Sequence, residues 1–133
     1  MSGLVVDTQS IVWSLFSPNK LSANAQQAID LANQNQEPIY ISTLSLVEVT
    51  FLVEKGRLPQ IVLDTLFHEL TESQNELIAL PVDVAIARTI SKIPRTAIPE
   101  LPDRVIAATA LSLGLPLVTS DLKIRASGVL TIW

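Results

Sequence analysis

The sequence predicts a three-layer α/β/α fold around a central parallel sheet of about five strands. Two observations carry that prediction. Short apolar runs alternate along the chain with longer segments whose apolar residues recur at helical spacing. The runs are apolar throughout, without the polar alternation of a sheet that faces water on one side, so both faces of the sheet are covered. Composition agrees: hydrophobic residues make up 48% and charged residues 17%, and with only 5% aromatic the surplus is aliphatic, as layered helices on a sheet require. At 133 residues the chain is expected to form a single domain over 1–133, long enough for one packed core.

Taken in order, "GLVVD" (3–7) reads as a buried strand ending in Asp, and "TQSIVWSLF" (8–16) as a helix with Ile11, Val12, Leu15 and Phe16 at helical spacing. Ser22 opens a helix whose apolar face is Ala25, Ala28, Ile29 and Ala32. "PIYIS" (38–42) is the second strand. "TLSLVEVTFLVEKG" (43–56) is a helix closed by Gly56 with Lys55 in its last turn, and Pro59 suits the first turn of a helix over 59–73. "LIALP" (77–81) is a third strand and "VDVAIARTISKI" (82–93) a helix. The three prolines of "PRTAIPELP" (94–102) make a loop. Pro102 and Asp103 start a helix that runs to Leu113, with Gly114 as its stop; "LPLVTS" (115–120) and "VLTIW" (129–133) complete five strands.

Composition also excludes. Without cysteine there is no disulfide, thiolate nucleophile or Cys-ligated zinc. No window has the uninterrupted apolar length of a membrane span. The N-terminus lacks a basic segment and places Asp7 inside its first apolar run, which argues against a signal peptide. A cytoplasmic protein is the natural expectation. The net charge of -4 argues at first sight against a nucleic-acid partner.

Four carboxylates stand out. In open α/β sheets ligands bind beyond the carboxyl ends of the strands. Asp7 ends the first strand, Asp121 follows the fourth, and Asp103 starts the helix that feeds the fourth. A helix packed antiparallel to its strand brings its N-terminus to the same rim. Glu48 is the odd residue of "LSLVEVTFLV": between Leu46 and Val53 only Glu48 and Thr50 are polar, with Ser45 on the face of Glu48 one turn earlier. No basic residue stands three or four positions away, so a distant Lys or Arg, or a metal, must compensate its charge. The others have ordinary readings too: Asp7 as a helix N-cap, Asp103 as a favourable charge at a helix N-terminus, Asp121 as a turn residue.

"LVVDT", the mid-helix Glu of "STLSLVEV" and "PDRVIAATALSLGLPLVTSD" resemble the motifs of PIN-domain ribonucleases, most closely the VapC-type toxins of type II toxin–antitoxin systems. The resemblance covers nearly the whole chain. It implies that Asp7, Glu48, Asp103 and Asp121 are the catalytic, metal-binding acids, and it matches Thr119 to a hydroxyl residue that such proteins often carry. The implied activity is a Mg²⁺-dependent endoribonuclease, with Mn²⁺ as a plausible substitute. The implied partners are an RNA substrate, a small antitoxin and a second copy of the chain in a homodimer, and no membrane.

The chemistry suits the residues. Magnesium takes hard oxygen ligands, and a metal-assisted hydrolysis needs no His or Cys base. The one histidine, His68, is given no role. Of 13 acidic and 9 basic residues, setting the four acids aside leaves the chain balanced, so the net charge is numerically the site itself. Arg104, Lys123 and Arg125 neighbour the site in sequence, and Arg88, Lys92 and Arg95 form a stripe at helical spacing; these are candidates for RNA phosphates, or a solvated face. A phosphoacceptor receiver domain wants an acidic pair after the first strand, and an aspartate-nucleophile phosphatase wants an acid at position 9; Thr8 and Gln9 stand there instead. The remaining rival is a non-catalytic PIN-like domain that binds metal or partners as a regulator. Phe51, Leu52, Leu66 and Phe67 are candidates for a partner surface or for core.

Overall fold

A computed structural model of the protein describes residues 2–72 and 76–133. The chain runs β1 (Leu4–Val6), α1 (Thr8–Phe16), a 3₁₀ turn (Pro18–Lys20), α2 (Ala23–Gln34), β2 (Ile39–Ser42), α3 (Thr43–Glu54), α4 (Gln60–Thr71) and β3 (Leu77–Leu80). It continues with α5 (Val84–Thr89), a second 3₁₀ turn (Ile90–Lys92), α6 (Leu101–Leu113), β4 (Leu117–Val118), α7 (Leu122–Arg125) and β5 (Thr131–Ile132). All pairings are parallel, in the order β3-β2-β1-β4-β5. The chain builds outward from β1 to β3, then returns to lay β4 and β5 on the other side. The order therefore reverses between β1 and β4.

Successive side chains of a strand point to opposite faces, and each face of this sheet has its own core. Leu4, Val6, Ile39 and Ile41 pack against Ile11, Ile29, Val49, Val62 and Leu66 from α1 to α4. Val5, Tyr40 and Leu117 pack against Ile86, Ile106, Ala107, Ala110 and Ile124 from α5, α6 and α7. The result is the predicted three-layer α/β/α arrangement.

Element ends differ from expectation for identifiable reasons. The helix expected over 82–93 is α5 and a 3₁₀ turn. Asp83 is extended (φ −94°, ψ −176°) because its carboxylate caps the Ile86 N–H, so no helix starts before it. At the other end Pro94 disfavours helical backbone at Ile93. The stripe Arg88, Lys92, Arg95 thus lies on no single helix, and all three are exposed. Helix α6 begins at Leu101, inside the expected loop, since a proline in the first turn lacks only an N–H that has no partner there anyway. Gly114 closes α6 in the left-handed conformation (φ 67°) as predicted. Helix α3 ends at Glu54, α4 starts at Gln60 with Pro59 as N-cap, and position 73 of the expected helix lies outside the described residues. The ladders of β4 and β5 are two residues each, and the single turn of α7 between them was not anticipated.

Gly3 admits β1 to the sheet beside β2. Its φ is +109°, and an added Cβ would stand 2.3 Å from the Pro38 carbonyl oxygen, the acceptor of the Leu4 N–H. Gly3→Ala is expected to lower stability by at least the roughly 1–3 kcal/mol of the backbone conformation alone, read as a lower midpoint in urea unfolding.

Candidate active site

The site forms at the carboxyl ends of β1 and β4, where the strand order reverses. Asp7 follows β1 and serves as N-cap of α1. Its Oδ1 accepts from the Ser10 N–H (2.8 Å) and its Oδ2 accepts the Thr119 hydroxyl (2.6 Å). Thr119 is fully buried just past β4, and its oxygen accepts from the Asp121 N–H (3.1 Å). Asp121 Oδ1 then caps α7, taking the N–H groups of Lys123 (2.9 Å) and Ile124 (3.0 Å). One buried hydroxyl thus fixes two acidic residues that lie far apart in sequence.

Glu48 reaches the same place from the middle of α3. Its partner is neither Lys nor Arg: Oε1 accepts the Thr8 hydroxyl (2.8 Å), which also pairs with the Ser45 hydroxyl at 2.8 Å. Asp103 stands half-buried in the first turn of α6. All four acids line one cleft of about 310 Å³, with Thr8, Gln9 and Ser120 as polar neighbours and Val12, Leu52, Leu58 and Ile106 as an apolar wall. Among the described residues no three acidic groups close tightly enough to chelate one bare ion. The donors are all oxygen, and among the described residues no Lys or Arg forms an ion pair with any of the four. Hard oxygen donors without a cationic partner fit a divalent ion that retains part of its water shell.

Arg104 is a correction. Its guanidinium does not line the cleft; it donates to the backbone carbonyls of Ile90 (3.1 Å) and Ile93 (2.9 and 3.2 Å) and ties α6 to the turn before it. A planar group with five donors can reach two backbone carbonyls of one turn at once. Lys123 and Arg125 are exposed on α7, and Lys123 pairs with Glu100 at 3.8 Å. Thr8 and Ser10 were missed as site residues. Their signal was position: Thr8 directly follows Asp7, and Ser10 stands three residues on, where an N-cap acceptor finds its donor.

The PIN domain family model matches residues 4–129. The "Ribonuclease VapC22" of Mycobacterium tuberculosis is 27% identical over 126 residues, covering 95% of this chain and 92% of that protein. In fold the chain is similar to VapBC2 from Rickettsia felis, solved bound to a DNA fragment from its promoter. There the TM-score is 0.73 and the identity 18%, with 99% of this chain and 100% of that chain covered. DNA-bound VapBC from Salmonella typhimurium gives a TM-score of 0.72 at 20% identity, covering 98% and 96%.

Burial pushes the carboxyls of Asp7 and Glu48 up from their ordinary values, against hydrogen bonds from Thr119 and Ser10 to the first and from Thr8 to the second. Asp103 is pushed up to about 6, first by burial and then by the charges of Asp121, Glu48, Asp7 and Glu100. A carboxyl that holds its proton more tightly when folded makes stability fall as pH rises from its unfolded value near 3.8 through about 6. In chelator, the protein is expected to melt at a lower temperature at neutral pH than near pH 5. Asp103→Asn removes one of the repelling charges, so it should reduce that difference and raise the neutral-pH melting temperature. Equal slopes for the two proteins in thermal unfolding against pH would contradict the assignment.

Proposed function

This chain belongs to the PIN domain family, and from that premise we propose that it is a divalent-metal-dependent endoribonuclease acting as the toxin of a type II toxin–antitoxin pair. The observation that carries the reading is the meeting of Asp7, Glu48, Asp103 and Asp121 around one cleft, with no cationic side chain among the described residues paired to any of them. The four are the proposed metal-binding and catalytic acids, with Mg²⁺ as the ion and Mn²⁺ as a substitute. When bound, the ion supplies Lewis-acid polarisation of an RNA phosphodiester and a lowered pKa for attacking water.

The chain's own residues supply the rest. Thr119 holds Asp7 and Asp121 in fixed relation, and carboxylate oxygens that already accept one hydrogen bond keep further lone pairs for a cation. Glu48 and Asp103 face them across the cleft. The wall of Val12, Leu52, Leu58 and Ile106 limits bulk water on one side. In this reading Lys123 and Arg125, exposed on the helix that Asp121 caps, would hold RNA phosphates, Lys123 in exchange for its surface pair with Glu100. For the antitoxin, the exposed apolar face of α3 and α4 offers Val47, Phe51 and Phe67. Of the four residues read as partner or core, Leu66 is fully buried and Leu52 belongs to the cleft. A homodimer is part of the same proposal. Among the described residues no helix is long and apolar enough to cross a membrane, and a cytoplasmic location is proposed.

The test is Mg²⁺-dependent cleavage of a panel of structured RNAs. Asn is as good an N-cap as Asp, so Asp7→Asn and Asp121→Asn keep α1 and α7 capped. Each is expected to lose at least about 100-fold in cleavage, more than partners outside the ligand set usually cost. Full activity in either variant overturns the reading, and no cleavage by the parent chain despite metal binding points to the regulatory alternative. Independently, Mg²⁺ or Mn²⁺ at ten times its Kd should stabilise the parent chain by about 1.4 kcal/mol, or roughly 3–5 °C in melting temperature.

A further inference from the structure

We propose that the Ser45–Thr8 hydroxyl pair is a positioning device for Glu48: Thr8 holds Oε1, so that Oε2 is presented to the cation. The inference rests on the metal-binding reading above and goes beyond its four acids. Glu48 is long and only partly buried, and a side chain with three rotatable bonds presents no fixed oxygen by itself. Thr8 is the first residue of α1, immediately after Asp7, and it reaches across to α3. The link therefore joins the helix that Asp7 caps to the helix that carries Glu48.

The direction of the hydrogen bonds follows from counting protons. Thr8 has a single hydroxyl proton, and a carboxylate can only accept. With that proton given to Glu48, the 2.8 Å contact between the hydroxyls is made by the proton of Ser45. Ser45 is fully buried and stands one turn before Glu48 on the same face of α3. Its hydroxyl has no other hydrogen-bond partner among the described residues. The chain Ser45 to Thr8 to Glu48 is thus polarised toward the carboxylate. Oε2 has no protein partner among the described residues. The cleft then has two hydroxyl braces: Thr119 for Asp7 and Asp121, Thr8 for Glu48.

The experiment is Mn²⁺ titration of the free protein without RNA, read from the electron paramagnetic resonance of the unbound ion. Thr8→Val keeps the shape and removes the hydroxyl, and Thr8→Val with Ser45→Ala removes it without orphaning a buried hydroxyl. Both are expected to weaken Mn²⁺ binding by about 10–100-fold, with Thr8→Ser staying within about threefold of the parent. Melting in chelator identifies any variant that fails to fold, in which case the double variant carries the comparison. If both valine variants bind as the parent does while Asp121→Asn has lost binding, the inference falls and the metal reading stands. Equal loss in Thr8→Ser also overturns it, as shape alone then matters. A parent chain that takes up no Mn²⁺ overturns both.

Discussion

The hydrogen bond from Thr119 to Asp7 is where fold and site become one constraint. Parallel pairing of β1 with β4 sets Val6 beside Val118, and the Asp7 N–H bonds the Val118 carbonyl at 3.2 Å. The next residue of each strand then carries a side chain at the same rim. The buried hydroxyl there donates to Asp7 Oδ2 and accepts from the Asp121 backbone, so one side chain sets the separation of two acids. A slip of one residue in this register turns Thr119 to the other face of the sheet and takes the brace away. The site is precise because the most buried part of the sheet is what positions it.

Structural and functional readings of these acids are not alternatives. Asp7 Oδ1 caps α1 and Asp121 Oδ1 caps α7, the ordinary work of an aspartate before a helix. That work fixes each carboxylate at one oxygen and leaves acceptor capacity free. Asp103 lies in the first turn of α6, where a negative charge is favoured by the helix dipole. Against this stand burial and mutual repulsion, which raise three of the carboxyls and Asp103 most legibly. Helix ends reduce the cost of holding the charges together, and on the proposed reading a bound cation would remove what remains.

The legible part of the fold was the part governed by burial on two sides. Apolar runs and helical spacing located five strands and the long helices, and the parallel topology brought Asp7, Asp103 and Asp121 to one rim before any contact was known. Glu48 was legible as a charge with no local partner. What sequence concealed has local causes. One turn of helix such as α7 has no periodicity to read, only the cap at Asp121. Arg104 follows Asp103 directly, yet successive residues on a helix point about 100° apart. Adjacency therefore made it look like a site residue, while its guanidinium bonds Ile90 and Ile93. Thr8 was passed over because a hydroxyl acquires its role only from what stands opposite, and Glu48 is forty positions away.

The stretch from Asp103 to Asp121 shows how length alone closes the site. Between Arg104 and Asp121 lie sixteen uncharged residues, and Val105 to Ala110 are buried without exception. Eleven helical steps from Asp103 to Gly114 descend about 17 Å. Seven extended steps from Gly114 to Asp121 climb up to about 23 Å. The two are comparable, so the chain leaves the rim as helix and returns to it as extended backbone, although only Leu117 and Val118 pair as ladder. Ser120 and Asp121 then line the cleft, and Asp121 caps α7. Charge at the positions buried in the stretch, Val105 to Ala110 and Leu117 to Thr119, would lack a partner; its acids stand at the two ends, which the matched lengths bring together.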